Sequence, residues 1–445
     1  MKASDVITAP ILIAAILILS VPSDGVAQPV TSVETLPNGI RVAVVHFPGS
    51  TNASLFTFLP LSLTTDGPGQ TQWSHVVEHL VIRSTVPANA AWANAETLPD
   101  HMRLDSYGSV SNWQEGLTHH RRWLVGERFQ PSILEAEKPK ALQECDYAVR
   151  NLATHKFAMA AWNQGIRHGR DLAQVRGDVL TADLGALQEH RDRHLVVPNQ
   201  TTVCLVGGVS SGDALPLLAR ELGDLRSDAL PPEPTKPRRG LIEMNWDLDA
   251  KHIVLTWPIP NPAHIDHAAL LVAAQWLNMR IFGDAGLKEL AGMVFAGADL
   301  RTPEGSWFYI SASVRPNADL QQLRARMTTH LNTLRAQSTE LAMAGMIGRQ
   351  IALNLTQVMD PKLVKANAPA GMTDAMIEAN LGLQWATAVH RLGPARAELA
   401  TRLKSVTPEN VRDAAAKHLR DEQASICVLR PMGGDSSGES PPQPK

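Results

Sequence analysis

The sequence predicts an α+β fold in two homologous halves, and three observations predict it. Short β-rich runs and turn signals precede helical windows; the same strand, turn and helix order recurs beyond a Pro-rich stretch near the middle; and each half closes on a similar apolar strand. At 445 residues the chain also exceeds the roughly 250–300 residues at which a single core stops growing. Each half is expected to be a mainly antiparallel sheet packed with helices.

The first half opens on a hairpin, with Val33 to Thr35 and Arg41 to Val45 flanking the turn Pro37-Asn38-Gly39. An apolar run from Ala53 to Leu63 follows, then the turn residues Asp66-Gly67-Pro68-Gly69, then a helical window from Trp73 to about Ser84. A second helical region extends from about Leu134 through Ile166, and Val197-Pro198-Asn199 turns into a buried strand at Thr202–Val206. A helix over Asp213–Leu225 completes the half. Residues 231–240, four of them proline, have the composition of an extended linker. Beyond it come a strand at His252–Trp257, a helix at His267–Arg280, a strand at Trp307–Val314, a helix capped by Thr407 and a closing strand at Ala424–Leu429. The expected domains are 28–230 and 241–432, followed by a disordered Gly, Ser and Pro-rich tail over 433–445.

Composition narrows the function. A net charge of -3 without a Lys/Arg run disfavours nucleic acid. Lys2, the apolar run Ile7–Val21 and the small residues Gly25-Val26-Ala27 read as a signal peptide over residues 1–27, cleaved after Ala27. The run is shorter than the roughly 20 residues a spanning helix needs. A periplasmic or secreted protein without a stable membrane span is expected, although retention of the segment as an anchor is the alternative. Cys145, Cys204 and Cys427 are too few for a disulfide framework and are expected to be unpaired, mostly buried thiols.

The chemistry gathers in His75-Val76-Val77-Glu78-His79. Residues four apart share a helix face, so His75 and His79 can offer two imidazoles to one metal ion, and zinc suits that donor set. Glu78 lies near the same face and can act as a base towards water at the metal. Against this stands a buried structural His pair, but apolar Val76, Val77, Leu80, Val81 and Ile82 give the rigid setting a metal site needs. Catalytic zinc usually takes three protein ligands. Glu137 and Glu144, two helical turns apart, make Glu144 the candidate third ligand with Glu137 behind it, although such pairs also line solvated helix faces.

These motifs, with Leu36-Pro37-Asn38-Gly39-Ile40-Arg41-Val42, resemble the insulinase/pitrilysin family of zinc metallopeptidases, in its mitochondrial-processing-peptidase-like bacterial branch. The resemblance covers nearly everything after the signal and implies a clamshell-half arrangement of the two halves. It implies one zinc ion per chain on His75, His79 and Glu144, Glu78 as general base, and a strand beside the site that pairs with peptide substrate. By position that strand is expected near Ser109–Gln114, with Asn112 on it.

Three departures stand out. The interval from His79 to Glu144 is shorter than is usual in the family. Pro139 lies within the ligand helix unless the helix starts near it. In the second half, Lys288 and Phe295 stand where active relatives carry an Arg and a Tyr that hold substrate and stabilise the oxyanion. The resemblance therefore implies a heterodimer in which a homologous partner supplies Arg and Tyr, a homodimer being the other assembly. The rival function is a catalytically weak or silent family member acting as scaffold or peptide-binding subunit. Elsewhere, His119-His120 and Arg121-Arg122 read as a solvated polar cluster, and Trp73, Trp113 and Trp162 as core.

Overall fold

A computed structural model describes residues 29–87, 90–151, 172–226, 239–246, 250–302, 305–336, 342–366, 368–369 and 371–431. The signal peptide, most of the linker, the C-terminal tail, Trp162 and the later part of the expected Leu134–Ile166 helix lie outside those residues, as does the side chain of Cys145.

The first half builds a sheet from β1 (Val30–Thr35), β2 (Arg41–His46), β3 (Asn52–Leu59), β4 (Ala93–Thr97), β5 (Met102–Ser109) and β6 (Thr202–Gly207), in the order β1-β2-β6-β3-β5-β4. The β1–β2 hairpin closes through Pro37-Asn38-Gly39, where Gly39 has φ 95, a left-handed conformation that costs glycine little. The second sheet, from β7 (Gly240–Trp246), β8 (His252–Ile259), β9 (Ala291–Thr302), β10 (Gly305–Val314) and β11 (Ser425–Pro431), runs β7-β11-β8-β10-β9.

The two orders superimpose. The closing strand, β6 or β11, lies parallel to β2 or β7 and antiparallel to β3 or β8, and every other pairing is antiparallel. The repeat read from sequence is thus a repeat of topology, with β1 as an addition. The helix between β3 and β4 is α1 (Trp73–Arg83). After β5 come α2 (Trp113–Val125), α3 (Pro131–Asn151), α4 (Leu172–Thr181), α5 (Leu184–His194) and, after β6, α6 (Ser211–Leu222). The second half adds α7 (Ile265–Gly283), α8 (Ala285–Leu290), α9 (Leu320–Ala336), α10 (Ala344–Thr356), α11 (Pro361–Lys365), α12 (Asp374–Leu392), α13 (Ala395–Lys404) and α14 (Pro408–His418), the last capped by Thr407.

Strand alternation sorts the cores. On one face of the first sheet Val42, Val44, Leu55, Leu104, Val203 and Leu205 pack against α1 and its neighbours. On the other face Val45, Phe56, Phe58 and Val206 pack against Ile377, Leu381, Trp385 and Val389 of α12, so a helix from the second half covers the back of the first sheet. A third core fills the second half around α7.

One expectation is corrected. His120 is wholly buried, its ring between the hydroxyls of Thr57 at 2.7 Å and Ser106 at 3.0 Å, whereas a solvated His119-His120 cluster was expected: α2 turns this residue inward onto the sheet. The ligand helix α3 starts at Pro131 and runs through Pro139. Proline lacks an N–H, so the helix forgoes the bond to the Glu135 carbonyl there. Cys204 and Cys427 are buried and free, and burial raises both thiol pKa values.

Candidate metal centre

The centre is assembled by two helices. α1 begins after Gln72, which takes a left-handed φ of 67. Its first turn is fixed by buried polar contacts: the Ser74 hydroxyl donates to Asp66 Oδ1 at 2.6 Å, Ser74 N–H to the same oxygen at 3.0 Å, and His190 Nε2 approaches it at 3.2 Å. Trp73 Nε1 donates to the Asp178 carbonyl at the end of α4. The apolar face, with Val76, Val77, Leu80 and Val81, sinks into the core. His75 and His79 are then left on the face towards α3.

α3 supplies the carboxylates, two turns apart on one face. Lys138, on another face, ties α3 to the Leu180 and Ala182 carbonyls at 2.9 and 2.6 Å. His75 Nε2 and His79 Nε2 stand 3.3 Å apart, and Glu144 Oε2 lies 3.4 Å from each. Among the described residues this is the one cluster of three donors suited to a metal. A tetrahedral ion with bonds of about 2.0–2.1 Å separates its donors by about 3.3–3.4 Å. The residues therefore fit zinc in donor chemistry and in spacing.

Glu137 stands behind the site, 4% exposed, with Oε2 accepting from His79 Nδ1 at 3.0 Å. That contact places the proton of the neutral ring on Nδ1 and frees Nε2 for the metal. Bonds to His79 and Lys140 outweigh burial and bring the Glu137 pKa down to about 2. Burial opposes ionisation of Glu144 as well, yet its contacts with His75 and His79 hold its pKa well below the usual carboxylate range. For His79, burial disfavours the charged ring, but the two carboxylates prevail and the pKa is raised. The Glu144 side chain is 59% exposed against 15% for His75 and 10% for His79, so the centre opens to solvent on its α3 side. Glu78 is buried on α1, with Oε2 accepting from Thr97 Oγ1 at 2.6 Å.

Sequence reasoning and structure part over the substrate strand. Asn112 is not on a strand: β5 ends at Ser109, and Asn112 precedes α2, its Oδ1 accepting from Ser109 N–H at 2.7 Å. A short polar side chain that bonds the backbone three residues back favours a turn over a ladder. The edge of the sheet beyond β5 is β4, paired among the described residues only with β5. Sequence reading passed over Ala93–Thr97 because alanine and polar residues mark strands poorly; the alternation of Ala93, Ala95 and Thr97 facing α1 was the available signal. Lys288 on α8 and Phe295 on β9 touch Phe282 and Tyr309, both in the second half, and are not part of the cluster of donors.

Residues 183–344 match the family model described as Peptidase M16 inactive domain. That span runs from the start of α5 to the start of α10, crosses both sheets and contains none of His75, Glu78, His79, Glu137 and Glu144. No curated protein matches the chain. Among solved structures it is similar to a protease from Helicobacter pylori, with TM-score 0.67 and 16% identity over 91% of this chain and 100% of that one. It is also similar to a peptidase M16 inactive domain from Pseudomonas fluorescens, with TM-score 0.62 and 16% identity over 90% and 98%. A third is the first half of the periplasmic protease PqqL from Escherichia coli, with TM-score 0.61 and 15% identity over 91% and 92%. At such identities the likeness shows the fold, which is that of the M16-like peptidases. No described helix is long and apolar enough to cross a membrane.

Proposed function

We propose that the chain is a zinc-dependent endopeptidase of the periplasm or extracellular space that cleaves extended peptides, working as the metal-bearing subunit of a heterodimer. The observation that carries this reading is the trio His75, His79 and Glu144 at tetrahedral spacing, with Glu78 on the helix that carries the two histidines.

Zinc on those donors would act as a Lewis acid towards a peptide carbonyl and lower the pKa of a water molecule. The protein's own groups do the rest. Glu137 keeps the His79 tautomer and ring orientation fixed. Glu78 accepts a proton from the attacking water and returns it to the leaving amine nitrogen. The edge of β4 that pairs with no described strand offers its backbone N–H and C=O groups to an extended peptide, which would add as a further strand and bring its carbonyl to the centre.

Two features support a partner. Lys288 offers no planar fork to a carboxylate or carbonyl, and Phe295 has no hydroxyl to donate to an oxyanion. The similar structure from Escherichia coli is described as the first half of a protease. The second reading, a silent subunit that binds peptide without cutting it, is favoured by the same two residues and by the matched domain's description as inactive.

Metal analysis with peptide cleavage, with and without a homologous second subunit, separates the two readings. We expect about one zinc per chain and strong stimulation by the partner. Glu78→Gln should retain zinc and lose cleavage. Unchanged cleavage in that variant would refute the base assignment, and a chain that binds no zinc would favour the silent subunit.

A further inference from the structure

We infer that Thr97, at the end of the edge strand, is a positioning residue that aims the Glu78 carboxylate. The inference rests on the reading of Glu78 as general base.

Glu78 carries its carboxylate on a flexible stem. Burial of Val77 and Leu80 fixes the helix around it but does not choose the last two torsions. The choice falls to Thr97, whose hydroxyl donates to Glu78 Oε2 at 2.6 Å, the length of a charge-assisted bond. The hydroxyl is the donor in this bond and the carboxylate oxygen the acceptor. Thr97 can hold that aim because its own position is fixed on three sides.

Within the ladder it sits opposite Met102, whose side chain is wholly buried. Directly after it the chain turns, with Leu98 N–H bonded to the His101 carbonyl at 2.8 Å, while Leu63 and Thr64 N–H groups hold the Leu98 and Pro99 carbonyls. The turn is then clamped from the second half. The Asp100 carboxylate, 3% exposed, meets the Arg391 guanidinium at the end of α12, with Nη2 to Oδ1 at 2.9 Å and Nε within 2.6 Å of Oδ2. His101 Nδ1 approaches Asp100 Oδ1 at 2.8 Å, and the rings of His101 and His390 lie about Phe58. An edge strand paired on one side would otherwise be among the easiest elements to displace. Here the strand that would receive the peptide also carries the hydroxyl that orients the base.

Thr97→Val deletes the hydroxyl while keeping a β-branched shape, and Thr97→Ser keeps the hydroxyl. Both are compared with the wild type in zinc-loaded crystals and in peptide cleavage, under whichever condition, lone or partnered, gives the wild type its highest rate. We expect the Glu78 carboxylate to leave its place in Thr97→Val and to keep it in Thr97→Ser. The kcat should fall roughly 10- to 100-fold in the first, the range typical for loss of a supporting hydrogen bond at a metal site, and recover in the second. Because ground-state binding does not use this hydroxyl, KM should stay within about twofold. An undisplaced carboxylate in Thr97→Val, or an unchanged kcat, would overturn the inference. A wild type that binds zinc and cleaves nothing would remove the peptidase reading instead, and the carboxylate's place would still decide the role of Thr97.

Discussion

Glu137→Gln tests whether the carboxylate behind the centre tunes it. The amide keeps the shape of a side chain that is 4% exposed, so packing is preserved and the charge alone is lost. Removing such a supporting carboxylate typically weakens a metal site by about 10- to 100-fold, or roughly 1.4–2.7 kcal/mol. The structure argues for the lower end. Glu137 also bonds Lys140 through Oε1 and lies 3.9 Å from Arg83 Nε, so part of its charge is already balanced before zinc arrives. About a tenfold loss is expected at pH 8, where protons compete less with zinc than at lower pH. The pH dependence carries a second signature. The raised pKa of His79 in the metal-free chain owes its rise first to Glu137 and then to Glu144, against burial. Below that pKa a proton competes with zinc, so wild-type affinity falls as pH falls. Glu137→Gln lowers the His79 pKa, the competing proton leaves earlier, and the gap between variant and wild type should narrow between pH 8 and pH 6.5. Competition against a chromophoric chelator across that range measures both effects. Equal affinities at pH 8, or a constant gap at all pH values, would refute the assigned role.

Two further outcomes follow from other parts of the chain. The double substitution Lys288→Arg with Phe295→Tyr restores the fork and the hydroxyl, and should raise kcat/KM of the lone chain by about 100-fold, the usual worth of one oxyanion donor; an unchanged rate would show that the missing groups do not limit it. His120 is buried between two hydroxyls, and burial, with His119 as the smaller cause, takes its pKa down to about 3. The unfolded chain binds a proton near pH 6.5 that the folded chain refuses, so stability is lost as pH drops from about 6.5 towards 3, at up to roughly 1.4 kcal/mol per unit from this residue. Urea unfolding of His120→Gln should therefore show a shallower decline between pH 7 and pH 5, and an identical slope in variant and wild type would contradict the burial argument.

How much of this was legible in the sequence depended on whether the physics was local. Near-continuous apolar runs within Arg41–His46, Thr202–Gly207 and His252–Ile259 mark buried strands directly, and α1 and α7 stand out by their apolar content. The spacing of His75, His79, Glu137 and Glu144 needs only two helices meeting face to face, and that is how the structure arranges them. Residues that depend on long-range partners were not legible. β5 buries Asp105 and Ser106 in the middle of a strand, at a cost relieved by Arg103, 2.8 Å from Asp105, and by His120. Neither compensation shows in the local pattern, so the sequence alone points to a strand that is too late and includes Asn112. The role of α12 was hidden for the same reason: its apolar face covers a sheet made some 300 residues earlier.

The duplicated topology gives a physical argument about the centre. The unit β3-α1-β4 and the unit β8-α7-β9 occupy equivalent places in their sheets. In the second, the helix buries Ala269, Leu270, Val272, Ala273, Trp276 and Leu277, which is what packing alone selects. In the first, the corresponding helix turns two imidazoles outward to meet a carboxylate, with a second carboxylate behind. Bringing two nitrogen lone pairs within 3.3 Å is unfavourable unless a proton or a metal ion sits between them. The fold does not require this arrangement, since its own second copy manages without it. A local choice that works against stability in one copy, while the other takes the apolar solution, is the pattern expected where function rather than folding sets the residues.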